Sequence, residues 1–144
     1  VDTEYILNKI PEFKQAQDKL DDFSSDWQKE IESKYADVEK MYRAYQQEQV
    51  LLTEKMRSKR EEAIIAKENA TKQLQQKYFG PEGALYAKRQ ELIRPLQDKI
   101  HDAIQKLAAN SKYQVIFDSS SDLIMLYHNK NLDKSDKILE LMGY

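Results

Sequence analysis

From Glu12 to Val50 the sequence contains neither glycine nor proline, and its apolar residues return every three or four positions. Leu20, Phe23, Trp27, Ile31, Tyr35, Val38, Tyr42 and Tyr45 mark one face of a single helix, with Met41 beside Val38. The helical rise makes this helix roughly 55 Å long. A helix of that length needs a partner for its apolar stripe, and the rest of the chain has to supply one.

The partner is expected immediately downstream. Val50, Leu51 and Leu52 are three consecutive apolar residues and do not fit a stripe. Thr53, with Glu54 behind it, can cap a new helix, so a hairpin tip is placed here. On the return helix Ala63, Ala66, Ala70, Leu74 and Tyr78 recur at the helical period. Large residues going out would then face small ones coming back, which lets two helices approach closely. The charges agree with an antiparallel pair. Glu12–Glu48 carries six Lys/Arg against ten Asp/Glu, whereas Glu54–Asn110 carries twelve against eight. Exposed pairs contribute only a few tenths of a kcal/mol each, roughly, so they select the pairing without holding it.

Phe79-Gly80-Pro81-Glu82-Gly83 is the one cluster of breakers and must interrupt the return helix. Gly80, Pro81 and Gly83, with Pro95 further on, are the candidate hinge residues, because two glycines can absorb a large backbone change. Helix resumes with Leu85, Leu92, Leu96, Ile100, Ile104 and Leu107, joined by Ile93 and Ala103. Pro95 should bend it, and Asn110 is the expected terminator.

The ends have a different character. Asp2 or Thr3 can cap a short helix with Glu4 in its first turn, and Pro11 suits the first position of the next one. After Asn110 the period switches. Tyr113, Val115 and Phe117 alternate with Gln114, Ile116 and Asp118, a strand signal. Ser119–Asp122 reads as a turn, Leu123–Tyr127 as a second short strand holding Ile124 and Leu126, and Asn129–Asn131 as a loop. Asp133 or Ser135 should cap a last helix carrying Ile138, Leu139, Leu141 and Met142, ended by Gly143. Two strands alone are marginal. Tyr113, Val115, Phe117, Ile124, Leu126, Ile138 and Leu141 are therefore the expected core of a body that needs further strands, from upstream of Val1 or from other copies of the chain. The fold class is mainly α with a small β part: a long antiparallel helical-hairpin arm (11–110) on a small β body (1–10 and 111–144) completed by trimerisation.

Composition removes several function classes. Charged residues make up 33% and apolar ones 40%, with a mean hydropathy of −0.83. That balance suits long helices burying one narrow stripe. A net charge of −2 argues against a general nucleic-acid binder. No cysteine is present, so disulfides and thiolate metal sites are excluded. No apolar run is long enough to span a membrane, and no leader segment is visible. His101 and His128 have no partners at a spacing that suggests a metal or a catalytic base. No glycine-rich phosphate loop occurs, so no cofactor and no ATP use are expected. Asn69-Ala70-Thr71 matches a glycosylation triplet but lies mid-helix.

Laid out in this order, the chain resembles the Skp (OmpH) family of periplasmic chaperones. The resemblance is carried by Val1-Asp2 as the end of a first strand, the long hairpin, Phe79-Gly80-Pro81-Glu82-Gly83 and Leu92-Ile93-Arg94-Pro95-Leu96. Tyr113-Gln114-Val115-Ile116-Phe117-Asp118 and the closing Asp133–Gly143 helix complete it. It implies a homotrimer with a β body and three helical arms around a cavity. In that cavity unfolded outer-membrane proteins would be held in the periplasm without ATP. The expected function is accordingly that of a holdase, not an enzyme. A coiled-coil adaptor for a folded partner and a prefoldin-like cytosolic chaperone are the rival readings. The client-binding candidates are residues off the main stripe: Met41, Leu51, Leu52, Met56, Ile65, Phe79 and Tyr86. Weak apolar contacts of this kind suit unfolded chains and add through effective concentration. Lys55, Arg57, Lys59 and Arg60 near the tip are the candidates for transient contact with a membrane surface, although a solvated face accounts for them more simply.

Overall fold

The computed structural model describes residues 1–121 and 126–144. Five α-helices follow one another: α1 (Thr3–Lys9), α2 (Pro11–Glu48), α3 (Glu54–Phe79), α4 (Ala84–Ser111) and α5 (Ser135–Met142). Short 3-10 turns occupy Gln49–Leu51 and Lys130–Leu132. The chain divides into two compact units, Leu20–Lys88 and the pair of segments Val1–Lys19 and Arg89–Tyr144.

In the unit formed by the chain ends, Asp2 caps α1 by accepting the Tyr5 N–H at 2.8 Å. Ile10 is extended, and Pro11 opens α2 at the position where its missing N–H costs nothing. Leu96, Ile100, Ala103 and Leu107 form the buried stripe of α4. They pack with Ile6 and Ile10 from the first segment and Ile138 and Leu139 from α5. Ile6 and Ile138 are fully enclosed, each worth about 2 kcal/mol of apolar burial. Pro95 lies inside α4, which continues through it.

Two helices end in the same way. At the end of α4, Lys112 turns left-handed (φ 57°) and the Tyr113 N–H reaches back to the Ala108 carbonyl at 3.0 Å. At the end of α5, Gly143 (φ 91°) does this and the Tyr144 N–H reaches Leu139 at 3.0 Å. Both close the last carbonyls by the left-handed cap that glycine favours. The expected Gly143 stop is present, and α4 runs one residue past Asn110.

No strand occurs among the described residues. The segment 113–117, whose alternation calls for a ladder, is irregular. Among the described residues the pairing is a single parallel rung: Val1 N donates to the Phe117 carbonyl at 3.1 Å and Ser119 N to the Val1 carbonyl at 2.8 Å. Most of the second expected strand, including Ile124, lies outside the described residues. Asp133 accepts the Ser135 N–H at 2.9 Å and its hydroxyl at 2.6 Å just ahead of α5, but the cap position falls to Lys134, which makes no side-chain cap bond, rather than to Asp133 or Ser135 as expected.

The unit Leu20–Lys88 is an antiparallel helical hairpin. Its turn is the 3-10 segment, and Thr53 caps α3 by accepting the Met56 N–H at 3.3 Å. Ile31, Val38 and Tyr45 on α2 and Ile64, Thr71 and Tyr78 on α3 are buried or half-buried. Each trio repeats every seven residues, the period of a two-helix seam. This corrects the expectation for the return helix, since Ala63, Ala66 and Ala70 are exposed. Ile64 and Tyr78 carry far more apolar surface than alanine, so rotating them inward gains more. Tyr42, expected on the stripe, is also exposed, at 51%. Thr71 is accommodated because its hydroxyl donates to the Lys67 carbonyl one turn back at 2.9 Å.

Candidate client-binding surfaces and the helix break

Polar rungs fix the register of the hairpin. Arg60 pairs with Glu48 at 3.0 Å, the Tyr45 hydroxyl donates to Glu61, and Lys67 lies 3.9 Å from Asp37. Further along, the Tyr35 hydroxyl donates to Gln75 at 3.2 Å and the Tyr78 hydroxyl to Glu30 at 2.8 Å. As the α2 numbers fall the α3 numbers rise, so each bond belongs to one register only. The hydrogen bonds to Glu61 and Glu30 hold the Tyr45 and Tyr78 phenols above their ordinary range, because ionising either would set a second negative charge beside the carboxylate. The charge asymmetry between the arms yields few direct ion pairs. Other pairs, such as Glu39–Arg43 and Glu68–Lys72, lie within one helix.

At the break between α3 and α4, Trp27 is the centre of an aromatic cluster. Its ring stacks on Tyr78 (4.8 Å between centroids, 10° between planes) and on Phe23 (5.6 Å, 26°), and meets the edge of Phe79 at 6.4 Å. The Lys88 ammonium sits 5.5 Å from the Phe23 ring centre. The glycines are required by close backbone approach. A Cβ on Gly83 would lie 2.8 Å from the Tyr78 carbonyl and 2.9 Å from Gly80 N, and one on Gly80 would collide with the Gln76 carbonyl. Hydrogen bonds Gly80 N to Gln76 O (2.8 Å), Gly83 N to Gly80 O (2.9 Å) and Ala87 N to Gly83 O (3.0 Å) carry the chain through the corner.

Among the candidate client-binding residues, Leu51, Met56, Ile65 and Tyr86 are exposed, whereas Met41 and Leu52 are half-buried. Phe79 is half-buried against Trp27. Val50, placed at the tip but not among the client-binding candidates, is 79% exposed beside Leu51 at 85%. The signal for it was the apolar triplet at the tip. Of the body candidates, Ile138 is in the core. Tyr113, Val115, Phe117, Leu126 and Leu141 are exposed on the single chain. Tyr113, Val115 and Phe117, with Val1, Tyr127 and Leu132, line a mainly apolar cavity of about 700 Å³.

Two carboxylates tie the N-terminal segment to the tail. Asp118 accepts from Thr3 N (3.1 Å), the Thr3 hydroxyl (2.6 Å), Ser120 N (3.1 Å) and the Ser120 hydroxyl (2.7 Å). Partial burial pushes its pKa up, but these four bonds outweigh it and hold the group below the usual carboxylate range. The hydrogen bond from the Ser135 hydroxyl does most to lower Asp133, with the Ser135 N–H adding to it against partial burial. Ser135 is itself buried and accepts the Asp2 N–H at 2.8 Å.

No group of metal-ligating side chains occurs among the described residues, and no described helix is long and apolar enough to cross a membrane. The fold and its surfaces define a helical-hairpin protein with dispersed apolar patches. Residues 1–142 match the family described as outer membrane protein (OmpH-like), and the chain belongs to that family. A comparison with curated proteins gives no match.

Proposed function

We propose that the protein is an ATP-independent holdase that keeps unfolded outer-membrane proteins from aggregating in the periplasm. The observation that carries this reading is the family match, which spans residues 1–142 and therefore includes both the hairpin and the tail. The working form is a homotrimer. In it the segment 113–117, together with Ile124 and Leu126, pairs with strands of the other copies, and the apolar cavity beside Phe117 is covered. The exposure of Tyr113, Val115 and Phe117 supports this, since apolar side chains in an alternating segment are costly to leave in water.

Client contacts fall to Met41, Leu51, Leu52, Met56, Ile65, Phe79 and Tyr86 on three helical arms around a shared cavity. Individually weak contacts keep a client mobile while enclosure keeps clients apart. The break with Gly80, Pro81 and Gly83, helped by Pro95, lets the arms adapt to client size. The test is suppression of aggregation of an unfolded β-barrel membrane protein diluted from urea. Suppression at near-equimolar trimer is expected. A properly trimeric protein that leaves aggregation unchanged would refute the holdase reading, and a monomeric mass by light scattering would refute enclosure.

A further inference from the structure

The tail segment is tied to the start of the chain by one side chain, and the tie decides which way its apolar residues point. Asp118 Oδ1 accepts the Thr3 N–H at 3.1 Å and Oδ2 accepts the Thr3 hydroxyl at 2.6 Å. Oδ1 also accepts the Ser120 N–H, the turn that a short acid makes with its own backbone two residues on. The Ser120 hydroxyl donates to Asp118 as well and lies 2.9 Å from the Thr3 hydroxyl, closing a ring of bonds. The backbone beside this ring is held too, since the Ser119 N–H and hydroxyl both donate to the Val1 carbonyl.

A carboxylate fixed toward its own chain sets the direction of its neighbours. Where side chains alternate, residues two apart share a side, and a slip by one residue exchanges the two sides. Ile116 and Asp118 are half-buried, whereas Val115 and Phe117 are 64% and 56% exposed. Tyr113 is exposed with them. The clamp thus turns an acid inward and leaves three large apolar side chains outside. A chain folding for itself alone would favour the reverse, because Phe117 has far more apolar surface to bury than Asp118.

We propose that Thr3 and Asp118 are positioning residues for self-association: their clamp holds Tyr113, Val115 and Phe117 outward as the face that a second copy of the chain covers. The proposal rests on the trimeric reading above and adds the device that prepares each chain for it. Asp118 is pinned within its own chain, so the segment is ordered before a partner arrives and the assembly step does not bear that cost. Without the clamp only a fraction of chains would present the face, and apparent affinity falls by that fraction. A trimer takes three such chains, so the fraction enters three times.

The test is dissociation of the full chain on dilution, followed by light scattering, in mild urea where that brings the wild-type midpoint into range. A loss that leaves about one chain in five competent lowers the trimer association constant roughly a hundredfold and raises the midpoint concentration about tenfold. Thr3→Val, which keeps the shape and removes the hydroxyl, should do this, and so should Asp118→Asn, both with the helical circular dichroism of the wild type. Thr3→Ser keeps the hydroxyl and should dissociate as the wild type does. Val115→Asp, on the outward side, should abolish the trimer, whereas Gln114→Asp, one residue away, should leave it. A wild type that is monomeric throughout refutes the trimeric reading and the proposal with it. A trimeric wild type whose Thr3→Val and Asp118→Asn forms share its midpoint overturns the proposal alone. A lower thermal midpoint in those two variants with unchanged dissociation does the same, since the clamp would then be only a brace, and so does equal loss of trimer in Gln114→Asp and Val115→Asp.

Discussion

Replacing Trp27 by alanine should loosen the helix break without unfolding the protein. Truncating a fully buried tryptophan costs about 3–5 kcal/mol, and Trp27 is half-buried, so roughly half of that, about 2 kcal/mol, is expected. The stack on Tyr78 at 4.8 Å, nearly parallel, and the contact with Phe23 account for much of it, since aromatic pairs contribute about 0.5–1.5 kcal/mol beyond area. The loss falls on a few residues. Phe79 loses its edge contact, and the corner then relies on the three backbone bonds at Gly80, Gly83 and Ala87. Native-state hydrogen exchange is the assay. Two kcal/mol corresponds to about a thirtyfold drop in protection at those three amides, with the amides of the Ile100–Leu107 stripe unchanged. Trp27→Phe should recover most of the loss. Unchanged protection at Gly80 and Gly83 in Trp27→Ala would show that the aromatic cluster does not hold the corner. A uniform drop across the chain would show that the break is not a local element.

Three other outcomes follow from the same geometry. Gly83→Ala places a methyl against three backbone atoms and should cost about 1–3 kcal/mol, read as a lower thermal midpoint, with Trp27 emission reporting the shifted corner. Lys112→Gly relieves a left-handed non-glycine residue and should stabilise by about 0.5–1 kcal/mol in chemical denaturation, whereas no gain would mean the Lys112 side chain offsets the strain. Asp118 and Asp133 have folded pKa values below their ordinary ones. The stability they contribute is thus complete above the ordinary carboxylate pKa, about 4, and is lost as pH falls through the lowered folded values. Denaturation between neutral pH and about pH 3 should show this decline, and Asp118→Asn should flatten it. A decline as steep in the variant would assign acid sensitivity to other groups.

The helices were legible because their signals are local. The capping threonine at 53, the proline at 11 and the glycine at 143 act within a turn of themselves, and the structure has all three where the sequence puts them. The seam on α3 was not legible. Alanines at 63, 66 and 70 have the right spacing, but spacing cannot rank them against Ile64, one position away and much larger. Thr71 gave no sign of being inward, because its hydroxyl is satisfied only once the helix exists. The role of Trp27 was hidden for a related reason. Its partners Tyr78 and Phe79 are distant in sequence, and only the hairpin register brings them together. The alternation from Tyr113 to Phe117 is real as a pattern, but a strand needs a neighbour, and among the described residues only the rung at Val1 pairs with this part of the chain.

The seven-residue repeat of Ile31, Val38 and Tyr45 opposite Ile64, Thr71 and Tyr78 makes the reach of the hairpin an adjustable quantity. Each repeat is a self-contained segment of seam. Removing seven residues from α2 together with the seven facing them on α3 would bring like positions back into register, with the apex turn and the aromatic corner untouched. The hairpin would shorten by about 10 Å, and adding a matched pair would lengthen it by the same step. An unmatched change would rotate one helix out of its seam or leave a polar rung without a partner. Viable lengths are therefore quantised, and the span of the hairpin can change in whole steps while the parts at its two ends keep their chemistry.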